Sequence, residues 1–448
     1  MQNKFSGMYW VDADSINLPK FQAKLTGYVT DYTGNISPVK LWTLKGKRFG
    51  VPREWGKKNF GDDYKDDTVR PNVSWPSITF PAGGGYWKGQ RDAVETVVQS
   101  FANGKTGALL EAPCGSGKTL MALDIASRLN TKTLIVVHKG DLSDQWHGTA
   151  EKLWPEVKVG HCQQDVWDYK DSHVVTAMAQ TLYSRRNNFP KGFLKSFGLV
   201  IFDEGHRYPA ETFEQVLRMF PSRYRLAVSA TWRRKDKLDY VWNWHVGQIE
   251  HQMTADRLTG EYVQISWNTS ISDKLFSYGG KKINMARYIT SISKNAKFNH
   301  FLSDKAIEAA SSGRRVLVVG DRVDQLQYLR RKIFEKSSVI SAGLYVGSVD
   351  KRRLTKEQLD AAKSCDVVLA TYGMMSEGTD IPELDTLFLA TPRTDVEQVV
   401  GRIQRHCEGK KNLLIVDPYF NTNFNRRMAD KRKKIYERLD FINQRSKK

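Results

Sequence analysis

Short apolar runs alternate with helix-length amphipathic stretches along most of this chain. From residue 86 onward the runs are Ala108-Leu109-Leu110, LIVVH, HVVTAM, LVIFDE and RLAVSAT, each rich in Val, Ile or Leu. Strands that lack polar–apolar alternation are buried on both faces, so the pattern predicts a parallel sheet covered by helices on each side. It fades between about 250 and 285, where NTSISDKLFSYGGKK reads as a connector, and resumes with RRVLVVGD, SAGLYVG, DVVLATY, TLFLATP and NLLIVDP. Two α/β lobes follow, over 85–267 and 286–424, joined by a linker over 268–285.

The two ends of the chain differ from this. Segments such as QAKLTGYVTDY and PVKLWTLKGKRFGVP mix β-branched, aromatic and lysine residues between turn signals at Thr33-Gly34-Asn35 and Gly46-Lys47. They predict a small, mostly β domain over 1–84, closed by the flexible Pro81-Ala82-Gly83-Gly84-Gly85. Its Trp42, Phe49 and Trp55 either stack on nucleic-acid bases between lysines or form the core of the domain. At the other end, Met428, Ile435, Leu439 and Ile442 fall at helical spacing and predict a closing helix within 425–448 with a basic outer face.

Charge narrows the class. Among 448 residues, Lys+Arg 69 against Asp+Glu 49 leaves a formal +20, which favours a polyanionic partner. A membrane is disfavoured, since no apolar run reaches spanning length and MQNKFSGMYW lacks a signal-peptide core. Cys114, Cys162, Cys365 and Cys407 are scattered, so neither a zinc site nor a disulfide framework is expected. No segment points to a stable protein partner.

The chemistry begins at Ala112-Pro113-Cys114-Gly115-Ser116-Gly117-Lys118-Thr119, between the strand ALL and the helix TLMALDIASRL. A strand, a Gly-rich turn and a helix N-terminus direct backbone N–H groups at a phosphate. Gly115, Ser116 and Gly117 would cradle it, Lys118 would reach the β/γ-phosphates of ATP, and the Thr119 hydroxyl would ligate Mg2+. The run Leu199-Val200-Ile201-Phe202-Asp203-Glu204-Gly205-His206 ends a buried strand in two carboxylates. Asp203 suits the metal, and Glu204 suits the polarisation of an attacking water.

With these motifs in order, the chain resembles the superfamily 2 helicases over residues 86 to 420, with Asp203-Glu204-Gly205-His206 as the DExH-type box. The resemblance implies two RecA-like parallel-sheet lobes in tandem behind the small β domain, using ATP at the cleft between them. It assigns Gln90 to adenine, and His206, Ser229 and Thr231 to coupling of hydrolysis with movement. Lys139, Thr176, Gln180 and Thr371 would contact nucleic acid. In Ala370–Asp380, Gly378 and Asp380 would reach the nucleotide. Gln398-Val399-Val400-Gly401-Arg402-Ile403-Gln404-Arg405 is similar to the family's QxxGRxxR segment, with Gln398, Arg402 and Arg405 as catalytic residues, the two arginines on one helical face. Two departures stand out, Ala112 for the usual first glycine and Gln404 where glycine is common.

Within the superfamily the chain looks most like phage UvsW-type branch-migration helicases, and also like XPB-like and restriction-enzyme motors. That resemblance implies branched or forked DNA as partner and the cytoplasm, of a host cell if phage-encoded, as location. The alternatives are a DExH RNA helicase, the motor of a restriction complex, and a binding module with a degenerate ATPase fold. Intact Lys118, Asp203, Glu204 and Arg405 weigh against the last.

Overall fold

The computed structural model describes residues 2–30, 35–81, 84–113, 115–204, 210–232, 238–253, 258–268, 273–278, 282–376, 381–405 and 407–444. The chain divides into two compact units, Met1–Ala255 and Asp256–Lys448.

The first unit is built on an eight-stranded sheet. Its strands lie in the order Val166–Trp167, Val159–Gln163, Val174–Met178, Thr133–Val137, Leu199–Asp203, Tyr224–Ser229, Gly107–Glu111 and Ile249–Gln252. Every neighbouring pair is parallel except the first. Gly107–Glu111 and the next strand in sequence, Thr133–Val137, are separated by two others, and such a reversal opens a crevice at the carboxyl ends of the strands. Both candidate motifs of this unit sit at those ends.

Alternation along the strands feeds two cores. Leu134 and Val136 join one, Ile135 and Val137 the other. The second core is sealed by the helices Gln90–Ala102, Lys118–Arg128 and Gly140–Leu153. The first is sealed by the helices Ala179–Ser184, Ala210–Met219 and Tyr240–His245 together with the N-terminal segment, so the small N-terminal β domain shares its core with the first lobe. Phe5, Tyr9, Phe49 and Trp55 are buried in the same cluster as Leu109, Val200 and Trp242. The five-stranded sheet of residues 4–66 is thus a cover for the larger one. Phe49 and Trp55 are core and Trp42 packs against it, so none of the three is presented for base stacking.

Buried arginines tie the cover down. Arg53 donates to the carbonyls of Ser222 (2.8 Å) and Arg223 (3.1 Å), with the Phe5 ring 4.3 Å from its guanidinium. Arg225 donates in return to the carbonyls of Gly7 (2.6 Å) and His245 (2.9 Å). A Cβ at Gly7 would lie 2.3 Å from the Arg218 carbonyl oxygen, so only glycine admits this approach.

The second unit holds a seven-stranded, all-parallel sheet. Its order is Ala342–Tyr345, Val367–Thr371, Val316–Gly320, Thr386–Leu389, Leu413–Phe420, Gly260–Trp267 and Phe441–Asn443. Gly260–Trp267, placed by the apolar pattern at the end of the first lobe, pairs along its whole length with Leu413–Phe420. The linker expected over 268–285 includes the short antiparallel pair Ser277–Tyr278 and Lys282–Ile283. The closing helix spans Asn423–Arg438, and Ile442 lies beyond it, 53% exposed on a strand whose Phe441 turns inward. The helix buries Met428, Ala429, Arg432 and Tyr436. Arg432 forms a buried ion pair with Asp417 (2.8 Å), to which Tyr436 and Gln264 also donate. Burial opposes the Arg432 charge, but the Asp417 carboxylate outweighs it and holds the guanidinium protonated. Among the described residues no helix is long and apolar enough to cross a membrane.

Starting the chain at Gly84 would uncover part of one face of the first sheet, so such a protein should aggregate or lose its cooperative thermal transition. The milder Arg53→Ala should fold but lose about 2–4 kcal/mol in urea unfolding. Two buried carbonyls lose their donors, at about 1–3 kcal/mol each. An unchanged midpoint for both variants would show that the cover is dispensable.

Candidate functional site

The Gly-rich loop needs its glycines for two reasons. Gly115 and Gly117 have φ of +82° and +80°, in the left-handed region. A Cβ on Gly117 would also lie 2.3 Å from the Gln90 Nε2. Ala112 is tolerated because its φ is not positive; its N–H bonds the Ser229 carbonyl at 2.9 Å, as a strand residue would. Gly117 caps the helix Lys118–Arg128, whose first turn directs free N–H groups and the positive end of its dipole into the loop.

Lys118 sits at that helix start. Its Nζ lies 3.2 Å from the Ala112 carbonyl, 3.4 Å from the Pro113 carbonyl and 3.1 Å from the Glu204 carboxylate. Glu204 has φ of +47°, an uncommon conformation for this residue that costs on the order of 1–3 kcal/mol. Its N–H still bonds the Val228 carbonyl at 3.0 Å, so the strand end is held while its carboxylate reaches Lys118. Strain of this kind is found where a side chain must be aimed.

Asp203 is buried and accepts a hydrogen bond from the Trp146 indole N–H at 2.9 Å. Burial, with the Glu204 charge beside it, pushes Asp203 up to about 6 against the pull of Trp146 and Lys118. A carboxylate in that position favours a nearby cation. The donor set fits Mg–ATP: a loop with two glycines, a lysine, the Thr119 hydroxyl on the first helical turn and a buried carboxylate. Trp146 is invisible to motif reading, because Leu142, Trp146, Ala150 and Leu153 sit at ordinary helical core spacing.

The other assigned residues divide into groups. Ser229 Oγ donates to the Thr231 carbonyl (2.6 Å) and lies 3.4 Å from Glu204, linking the SAT segment to the carboxylate box. Gln90 is buried, with its amide taken up by the Trp87 N–H and the Ser116 carbonyl, both at 2.8 Å, so it braces the phosphate loop. Lys139 and Gln180 are exposed and close, since Gln180 Nε2 reaches the His138 carbonyl at 3.2 Å. Thr176 is not on that surface: it is buried, with its hydroxyl 2.6 Å from Ser143 and 2.9 Å from His147. His206, Gly378 and Asp380 lie outside the described residues.

In the second unit Thr371 ends its strand half-buried, and Gln398 lies on the helix Glu397–Ile403. That helix corrects the pairing of the two arginines on one helical face, because it stops before Arg405. Arg402 is buried and donates through Nε to the Met375 carbonyl at 2.8 Å, while Arg405 is more exposed. The unusual Gln404 donates to the carbonyls of Leu439 (2.9 Å) and Leu258 (3.2 Å), which a glycine could not do.

Comparison with known proteins agrees with this division. Residues 86–234 match the family model "Type III restriction enzyme, res subunit", and residues 293–407 match "Helicase conserved C-terminal domain". A putative ATP-dependent RNA helicase, L396 of Acanthamoeba polyphaga mimivirus, is 28% identical over 88% of this chain and 75% of its own. The DNA 3'-5' translocase XPB2 of Sulfurisphaera tokodaii is 31% identical over 74% of this chain and 71% of its own. Among solved structures, the ATP-dependent Type ISP restriction-modification enzyme LlaBIII bound to DNA shares the fold. It aligns with 82% of this chain and 30% of its own at a TM-score of 0.54 and 17% identity.

Lys118→Ala should lower ATP hydrolysis by at least about a hundredfold with the thermal midpoint kept, since one preorganised charge contributes about 10²–10³ in rate. Glu204→Gln should bind nucleotide and turn it over very slowly. Normal turnover by a folded Lys118→Ala protein would remove this loop from the chemistry.

Proposed function

The chain belongs to superfamily 2 of the helicases, ATP-driven enzymes, and from that premise we propose that it translocates on and remodels forked or branched DNA. The observation that carries the nucleotide half is the Lys118–Glu204 contact of 3.1 Å at the mouth of the phosphate loop. Bound Mg–ATP supplies the phosphoanhydride and the cation that draws charge from it. Lys118 exchanges its contact with Glu204 for phosphate oxygens. Glu204, so released, orients the attacking water. Thr119 and Asp203 would hold the metal, with Trp146 fixing one oxygen of the carboxylate. Arg405 neutralises charge on the transferred phosphoryl group, and Arg402 keeps its segment in place through Met375.

The nucleic-acid half is supported by the closing helix. On Asn423–Arg438 several cations are engaged: Arg426 by Asn421, Arg432 by Asp417, Lys433 by Glu437 and Arg438 by Glu397. Arg427, Lys431 and Lys434 are exposed, and among the described residues they have no ion-pair or hydrogen-bond partner. Their spacing of four and three residues sets them in one row along the helix. The buried Arg432 on the opposite side makes that helix a rigid support, and a row of cations about 5–6 Å apart suits a phosphate backbone. DNA is favoured over RNA by the DNA translocase at 31% identity. An RNA substrate is the second reading, favoured by the relative named an RNA helicase that spans more of the chain. Action in the cytoplasm accompanies either reading.

Turnover should rise most with forks and four-way junctions when single strands, duplexes, junctions and RNA are compared at equal nucleotide concentration. Greater stimulation by RNA would transfer the assignment to the second reading. Arg405→Ala should lower kcat by about 10³-fold or more with little change in ATP affinity, as arginine fingers do. Replacing Arg427, Lys431 and Lys434 together by Ala should make the log–log salt dependence of duplex binding shallower by about 0.9 per lost phosphate contact. An unaltered slope would remove the helix from the DNA surface.

A further inference from the structure

Arg405 lies past the end of its helix, which stops at Ile403 with Gln404 as its C-cap. An arginine that must meet a phosphate within a fraction of an ångström depends on how its backbone is held. Lys410 gives one support. Its Nζ donates to the Arg405 carbonyl at 2.7 Å and to the Pro382 carbonyl at 2.7 Å. Pro382 follows the family segment 370–380 in sequence, so one ammonium ties the chain at Pro382 to the arginine.

The chain is shaped to bring Lys410 back. Gly409 has φ of +73°, a turn conformation that favours glycine, and the Lys410 N–H bonds the Cys407 carbonyl at 3.4 Å. Three residues after Lys410 the strand Leu413–Phe420 begins, which anchors it to the sheet. Arg402, bonded to Met375, joins the same two segments nearer their start. Gln404, held by Leu258 and Leu439, fixes the residue just before Arg405.

We propose that Lys410 is a positioning residue for Arg405, its ammonium holding the non-helical backbone of that arginine against the segment that ends at Pro382. The proposal rests on Arg405 acting in hydrolysis, as argued above. Burial pulls the Lys410 ammonium down to about 8 from its ordinary 10.5. The groups that face it are Asp385, Cys407 and Glu383, which favour the charge, and Arg405, which opposes it. Because the folded value is depressed, the unfolded chain holds this proton more tightly. Keeping the charge therefore costs stability below about pH 8, a cost relieved as pH rises from there towards 10.5. A charge kept in place at a cost to the fold is consistent with a task beyond folding. Charged, the ammonium makes bonds roughly twice as strong as neutral ones, so its grip on both carbonyls weakens as pH climbs through about 8.

The test is steady-state ATPase of the full chain at saturating nucleic acid, from about pH 6.5 to about 9.5, for wild type, Lys410→Met, Lys410→Arg and Arg405→Ala. Lys410→Met should lose about tenfold or more in kcat with KM for ATP within about twofold, and should lack the alkaline limb that wild type shows near pH 8. Lys410→Arg should recover much of the rate and carry that limb to higher pH. A Lys410→Met protein with wild-type kcat, beside an impaired Arg405→Ala, would overturn the positioning role and leave the catalytic reading standing. A Lys410→Met protein whose thermal midpoint falls and whose kcat, corrected for the folded fraction, equals that of wild type would make Lys410 merely structural, which also overturns it. If Arg405→Ala itself turns over normally, the catalytic reading fails and this inference with it.

Discussion

A parallel sheet is buried on both faces, and each of the two sheets here must find a cover for each side from its own stretch of chain. In the second unit the covers come from helices between the strands and from the closing helix Asn423–Arg438. In the first, helices seal one core, and the other is completed by residues before the Gly-rich loop. This requirement explains why the N-terminal segment shares a core with Trp242 and Val200, and why Arg53 and Arg225 exchange hydrogen bonds across the seam. It also leaves the strand ends as the place where polar chemistry can stand.

Buried charge is arranged differently in the scaffold and at the candidate site. Arg432 and Asp417 satisfy each other, and Tyr436 and Gln264 fill remaining positions on the carboxylate, so that pair is complete within the fold. Arg53 and Arg225 give their terminal nitrogens to carbonyls, while the buried Nε of each has no hydrogen-bond partner among the described residues. Asp203 and Glu204, by contrast, are adjacent carboxylates with one lysine close by, and burial, with the Glu204 charge beside it, raises Asp203. In the proposed site a divalent cation would offset the excess negative charge of the two carboxylates, and Lys118 would exchange the Glu204 carboxylate for a phosphate.

The arginines of the QxxGRxxR segment show the same separation of tasks. Arg402 donates through Nε to a carbonyl inside its own unit, while Arg405 stands past the helix end with its carbonyl held by Lys410. Gln404, a departure from the family pattern, makes two backbone contacts that bear on that place. A change that looks unfavourable in a motif thus acts as a local brace.

What the sequence determined by itself were features set by short-range rules. Runs of Val, Ile and Leu gave two parallel sheets because strand burial is periodic and local. The phosphate loop was legible because strand, glycine turn and helix N-terminus are contiguous from Leu110 to Thr119. Tertiary structure alone decided what depends on contacts between distant residues. Gly260–Trp267 belongs to the second sheet because its partner strand lies about 150 residues later, a distance no periodicity registers. Phe49 and Trp55 became core, and Thr176 withdrew from the surface, because exposure depends on what packs over a residue. Trp146 and Lys410 gained their places beside Asp203 and Arg405 through the fold, since neither occupies a motif whose spacing could announce it.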